Sequence, residues 1–321
     1  MNTSLDAATP TTTAVIGPGA IGTTIAATLH EVGRTPRLYG RTARDNLELV
    51  TADTRIAVPG PVGIDPRDVS GPVDVVFLAV KATQIDAAAA WLRALCRTGT
   101  VVCVLQNGVE QVCMVSPYLP QGTEVIPSVV WFPAQAQPDG SVLLRGDARL
   151  TLSRTRDAQR VADVLHGTRC SVELADDYLS VAWRKLLQNA AAGLMALTGR
   201  RSAMYARTDI AHLTLAYLDE CFAVARAGGA RLDGDTPTQI LAHFQTSPAD
   251  MSTSILTDRE ASRPLEWDIR NGVISRLGRA HGIPTPISDV ITTLLAAISN
   301  DPAQVTLDDS RTVTHRDRPL A

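Results

Sequence analysis

Apolar residues in the first 105 positions fall in short continuous runs separated by helix-like stretches. Runs at 12–16 (TTAVI), 37–39 (RLY), 55–58, 73–80 (VDVVFLAV) and 100–105 (TVVCVL) predict strands. The last two show no polar–apolar alternation, the pattern of strands covered on both faces in a parallel sheet. Helical patterns at 20–32, closed by Gly33, and at 84–95 lie between them. Strands alternating with helices at this spacing predict right-handed βαβ units and a doubly wound sheet.

The texture changes near residue 122. Runs at 125–131 and 141–144, joined through the turn signal Pro138-Asp139-Gly140, predict a strand pair, and 149–152 and 171–174 predict two more strands. From 178 to 300 the pattern is helical throughout. The expected architecture is α/β: an N-terminal Rossmann-type doubly wound sheet with an antiparallel extension (1–176), plus an all-helical C-terminal domain (177–300). The polar, aperiodic residues 301–321 are expected to form a frayed tail.

The first predicted strand runs directly into Gly17, Pro18, Gly19, Ala20, Ile21 and Gly22, and a helix follows. In that context G-x-G-x-x-G is a dinucleotide site. Gly17 permits the tight turn, Gly19 the close approach of backbone to pyrophosphate, and Gly22 the packing of helix on strand. The helix N-terminus offers unpaired N–H groups to the phosphates. A carboxylate at the end of the second strand would hold the ribose hydroxyls of NAD. Here the strand ends Tyr39-Gly40-Arg41-Thr42-Ala43-Arg44. A guanidinium fork suits a 2′-phosphate, so NADP (NADPH) is the expected cofactor, with Arg41 the first partner and Arg44 an outer one.

Composition narrows the class. A net charge of −3 argues against a nucleic-acid partner, which needs a basic face. No apolar stretch is long enough for a membrane span, and residues 1–17 lack the basic and apolar regions of a secretory signal, so a cytoplasmic location is expected. The five cysteines, Cys96, Cys103, Cys113, Cys170 and Cys221, form no C-x-x-C pair. They are expected to be small buried hydrophobes, with no metal site.

Of 30 basic residues, 28 are arginine and only two, Lys81 and Lys185, are lysine. Lysine can release a proton near neutral pH and arginine cannot, so the two exceptions are candidates for chemistry. Lys81 directly follows the predicted strand 73–80, and Asn107 lies two residues beyond 100–105. Both stand where an open parallel sheet binds ligands, beyond the carboxyl ends of its strands. Lys185 and Asn189 are four apart in a predicted helix and share a face. Ser254 opens another helical stretch, and Glu266 lies in Leu265-Glu266-Trp267-Asp268. Neither lysine has a tyrosine four residues before it, which removes the Tyr-x-x-x-Lys pair of short-chain dehydrogenases, and neither His-Gly pair, His166-Gly167 or His281-Gly282, sits near a predicted sheet crevice.

These residues together resemble the ketopantoate reductases (2-dehydropantoate 2-reductases). The resemblance rests on the G-P-G-A-I-G loop, A-V-K-A-T-Q at 79–84 and L-Q-N-G-V at 105–109. It continues through W-R-K-L at 183–186 with Asn189, then Ser254, L-E-W-D at 265–268, Asn271-Gly272 and R-A-H-G-I at 279–283. It implies NADPH-dependent reduction of ketopantoate to pantoate, in pantothenate and coenzyme A biosynthesis. It further implies Lys185 as general acid, Glu266 on the substrate's hydroxyl, and Asn189 and Ser254 on its other polar groups. Asn107 and Lys81 would stand at the edge between nicotinamide and substrate, which makes Lys81, Asn107 and Glu266 cofactor neighbours as well. The partner would be a small 2-keto acid, and the family permits a homodimer that no feature of this sequence shows. The family often carries a second asparagine one turn past Asn189, where this chain has Gly193. That departure predicts a lost substrate contact. It leaves open a related reductase of the β-hydroxyacid dehydrogenase type; an NADP-binding redox sensor without turnover is the alternative of another class.

Overall fold

The computed structural model describes residues 11–299. The continuous apolar runs form fully buried parallel strands, β1 (Thr13–Ile16) and, later, β5 (Val75–Leu78) and β6 (Val101–Val104). Between them come α1 (Ala20–Glu31), β2 (Arg37–Tyr39), β3 (Asn46–Val50) and β4 (Arg55–Pro59), with α2 (Ile85–Leu95) between β5 and β6. Then follow α3 (Gln111–Val115), β7 (Glu124–Val130), β8 (Ala134–Ala136), β9 (Val142–Leu144), β10 (Ala148–Ser153), α4 (Arg156–Leu165) and β11 (Cys170–Ala175).

The main sheet has seven strands in the order β11-β10-β7-β6-β5-β1-β2. The strands from β2 to β7 are parallel, with Ile16 level with Leu78 and Leu78 level with Val104. The chain leaves β1 toward β2 on one side and returns to β5 on the other. The carboxyl ends of β1 and β5 therefore flank the switch point at which open α/β sheets bind ligands. One face is covered by α2 through Ile85, Ala88, Trp91, Leu92 and Leu95. The other is covered by α1, whose Ile25 and Leu29 share a core with Val15, Val75 and Phe77.

Four details differ from the sequence expectation. The extension is antiparallel only at β7·β10, because β10 and β11 run parallel through the crossover helix α4. The strands 125–131 and 141–144 do not pair. Pro138-Asp139-Gly140 turns β8 into β9 instead, while β7 belongs to the main sheet. A second sheet, β4-β3-β9-β8, packs Leu47, Leu49, Val58 and Leu144 into the core around α1. Cys113 is exposed, whereas the other four cysteines are buried as expected.

After Ala175 the described residues form helices only. These are α5 (Tyr178–Thr198), α6 (Thr208–Ala227), α7 (Thr236–Thr246), α8 (Ser254–Glu260), α9 (Val273–His281) and α10 (Pro286–Ile298). Asp177 starts α5 by accepting a hydrogen bond from the Ser180 amide at 3.2 Å, and Gly199, with φ +67°, stops it in the left-handed region. A π-helical turn, Asp268–Gly272, leads into α9. Trp183, Leu187, Tyr217, Leu218 and Val273 lie in the core of these helices. The expected tail at 301–321 falls outside the described residues. Among the described residues no helix is long and apolar enough to cross a membrane.

Candidate active site

The glycine loop has the shape its sequence requires. Gly17 takes φ +88°, and a Cβ there would stand 2.8 Å from the Val80 amide nitrogen. A Cβ on Gly22 would stand 2.3 Å from the Gly17 carbonyl oxygen, so α1 can lie against the loop only with glycine at that position. A Cβ on Gly19 would meet nothing within 4 Å: this position borders open space at the start of α1. Residues Ala20, Ile21 and Gly22 form the first turn of α1, which has no side-chain cap and no acidic residue. Its amides are unspent donors. The cradle fits a pyrophosphate.

The end of β2 is tied to this loop. Gly17 donates to the Tyr39 carbonyl at 2.9 Å, and a Cβ on Gly40 would be 2.9 Å from Cδ of Pro18. Arg41 therefore emerges beside the glycine loop, exposed, and its guanidinium has no hydrogen bond or ion pair among the described residues. Arg44 is exposed as well. Arg41→Ala is expected to weaken NADPH binding by about tenfold, the scale of a charge-assisted hydrogen bond, and to leave NADH nearly unaffected. Fluorescence titration of both cofactors checks this, and an unchanged NADPH/NADH ratio would remove Arg41 from the 2′-phosphate.

Across the switch point, loops from the sheet meet side chains from the helices. Gln106 Nε2 donates to the Val80 carbonyl at 2.8 Å, which locks the ends of β5 and β6 together. This presents Asn107 to the helices. Its Oδ1 accepts from Asn189 Nδ2 at 3.2 Å, and its Nδ2 donates to Glu266 Oε2 at 3.4 Å. Glu266, buried, accepts the Ala82 backbone N–H on Oε1 at 3.1 Å. Lys81 pairs with the buried Asp258 of α8 at 2.5 Å, and Asp258 also receives Arg263 Nε at 3.0 Å. Arg270, in the π-helical turn, donates to Ser254 Oγ at 2.9 Å and stands 3.7 Å from Glu266 Oε2.

Lys185 lies one turn before Asn189 on α5. Its ammonium sits 4.8 Å from the centre of the Trp131 ring and has no hydrogen bond or ion pair among the described residues. Trp131 is fixed by an Nε1–H bond to Thr151 Oγ1 at 2.9 Å. Burial, and secondarily the positive charge of Arg270, pull Lys185 down to about 8. The ring face favours the ammonium and partly opposes that shift. The result is a lysine with three donors to offer and a proton it can give up near neutral pH.

All the expected site residues thus gather at one cleft: the glycine loop and Arg41 along one rim, and Lys81, Asn107, Lys185, Asn189, Ser254 and Glu266 about the switch point. Position 193 does not. It is rotated roughly 80° from Lys185 about the helix axis, and a Cβ there would be 2.6 Å from Nδ2 of the buried Asn271. Asn271 fills this space, donating to the Ala190 carbonyl at 3.1 Å and the Tyr217 hydroxyl at 2.9 Å. Gly193 therefore leaves no gap: Asn271 occupies the space a side chain at this position would take. Trp131, Asp258 and Arg270 escaped the sequence reading.

The fold and the cleft define a dinucleotide-binding oxidoreductase in which a doubly wound sheet faces a helical region across a polar site. Residues 13–157 match the model of the ketopantoate reductase PanE/ApbA family, and 177–299 match its C-terminal model. The chain belongs to this family. It is 54% identical over 291 residues, 90% of its length and 98% of the relative's, to a 2-dehydropantoate 2-reductase of Mycobacterium tuberculosis. It is 33% identical to another from Caulobacter vibrioides, covering 89% of this chain and 99% of that one. Among solved structures, a dimeric ketopantoate reductase from Staphylococcus aureus superposes with a TM-score of 0.81 at 28% identity. That match covers 89% of this chain and 98% of the other.

Proposed function

We propose that this protein reduces 2-dehydropantoate to pantoate with NADPH, the reduction that serves pantothenate and coenzyme A biosynthesis. The observation that carries the reading is the convergence of an unpaired Lys185 with Asn189, Asn107 and Glu266 at the carboxyl ends of β5 and β6. The family and the 54% identical relative give it the same substrate. The division into two domains falls between 176 and 177. The dimeric Staphylococcus aureus neighbour makes a homodimer part of the proposal.

Gly17, Pro18, Gly19, Ala20, Ile21 and Gly22 hold the pyrophosphate and Arg41 the 2′-phosphate. When bound, the cofactor supplies hydride to the keto carbon. As negative charge develops on the carbonyl oxygen, Lys185 donates its Nζ proton there and becomes a neutral amine. Asn189, fixed by Asn107, orients the same carbonyl. Ser254 and Glu266 hold the substrate's carboxylate and hydroxyl. Lys81 sits at the nicotinamide edge, restrained by Asp258. The direct test follows NADPH oxidation with 2-dehydropantoate and a panel of other 2-keto acids. Preference for 2-dehydropantoate supports the reading, preference for another acid moves the substrate, and no turnover with any would leave a cofactor-binding protein.

A further inference from the structure

Arg270 is 2% exposed, and the proposed reaction gives it no task. A charge is kept in such a place where it is paired or used. Its pairing is incomplete. Nη2 reaches Ser254 Oγ at 2.9 Å, but Glu266 Oε2 is 3.7 Å away, beyond charge-assisted hydrogen-bond range, and the buried Nε has no acceptor. The residue also lies in a π-helical turn, a departure from regular helix that recurs at functional sites.

The direction of the Ser254 bond matters. A hydroxyl whose oxygen receives a guanidinium N–H keeps its single hydrogen to donate. Ser254 is exposed at the start of α8, while Arg270 lies behind it. Arg270 is also close enough to Lys185 to act on its charge. In a 2-keto acid the carboxylate is bonded to the keto carbon, so the proposed function sets the carbonyl oxygen at Lys185 and the adjoining carboxylate at Ser254.

We propose that Arg270 is a positioning residue for the substrate's carboxylate: it turns the Ser254 hydroxyl into a donor toward the cleft and sets a buried positive charge one hydrogen bond behind it. The inference deepens the proposed function and rests on it. Glu266 then has a further purpose, to balance the charge of Arg270.

The experiment compares a 2-keto acid with its methyl ester as substrates of wild type, Arg270→Gln, Ser254→Ala and the double variant. Arg270→Gln is expected to raise KM for the acid about ten- to a hundredfold, the worth of a hydrogen bond to a charged group, with less than about a twofold change for the ester. Added to Ser254→Ala, it should cost less than about a further twofold, because it acts through that hydroxyl. Equal losses on acid and ester, or losses that multiply in the double variant, would make Arg270 structural and overturn the proposal. Should Arg270→Gln fail to fold, Arg270→Lys keeps the charge without the fork, and the same acid-versus-ester comparison decides. A second readout is the pH profile. Among the described residues, Arg270 is the charged group that lowers Lys185, with Glu266 and Asp258 partly neutralising Arg270 in turn. Its removal should move the Lys185 limb upward, and an unmoved limb counts against it. If wild type reduces no 2-keto acid, the proposed function falls and takes this inference with it; every other negative result overturns the inference alone.

Discussion

Lys185→Ala is expected to lower kcat by roughly 10²–10⁴-fold, the range of positioned acid catalysis, and Lys185→Arg is expected to do no better. Arginine would keep the positive charge beside the developing oxyanion but would not release its proton near neutral pH. The wild-type lysine differs in having been brought down to about 8 by burial and by Arg270. For reduction the donor must carry its proton, so kcat/KM should fall about tenfold per pH unit above about 8. Pantoate oxidation with NADP needs the neutral amine and should rise through the same pH. Opposed limbs for the two directions, both lost in Lys185→Ala, would establish the acid–base role. Near-wild-type turnover in Lys185→Arg, or parallel limbs, would take the proton from another group.

The two retained lysines were legible because the rest of the chain uses arginine. By the same token Arg270 was invisible: one arginine among 28 carries no signal until its burial is known. The glycine loop and the buried strands β1, β5 and β6 could be read because turn chemistry and uniform burial are local properties. The second sheet could not. Leu47 and Leu49 of β3 are buried through α1 and through a strand 93 residues later, Val142 on Leu49. The Pro138-Asp139-Gly140 turn was placed correctly but assigned the wrong strand, since a turn states where the chain reverses and not how long the preceding strand must be. α4 was readable and missed: Thr155 caps it through the Ala158 amide at 3.1 Å, and Ala158, Val161 and Leu165 recur at helical spacing. Trp131 took its place in the site through a contact with Lys185, 54 residues away in sequence. Pairs of this kind are set by tertiary packing alone.

Glu266→Ala should damage both the cleft and the fold. Its Oε1 is the acceptor for the buried Ala82 amide, and its Oε2 takes Asn107 and faces Arg270. Removing the carboxylate orphans one backbone donor and leaves a buried guanidinium without its nearest counter-charge. Breaking a buried pair in this way costs about 3–5 kcal/mol, a fall in Tm on the order of 10 °C for a domain of this size. Glu266→Gln keeps one acceptor oxygen, enough for the Ala82 amide, but turns an NH2 group toward Asn107 Nδ2 and Arg270 in place of Oε2, so its Tm should fall between those of wild type and Glu266→Ala. Substrate KM should rise in both, because Asn107 loses the acceptor that, with Asn189, aligns it. Thermal unfolding alongside steady-state kinetics separates the contributions. A raised KM with wild-type Tm in Glu266→Ala would mean that the carboxylate serves the substrate alone and does not join the sheet to the helices.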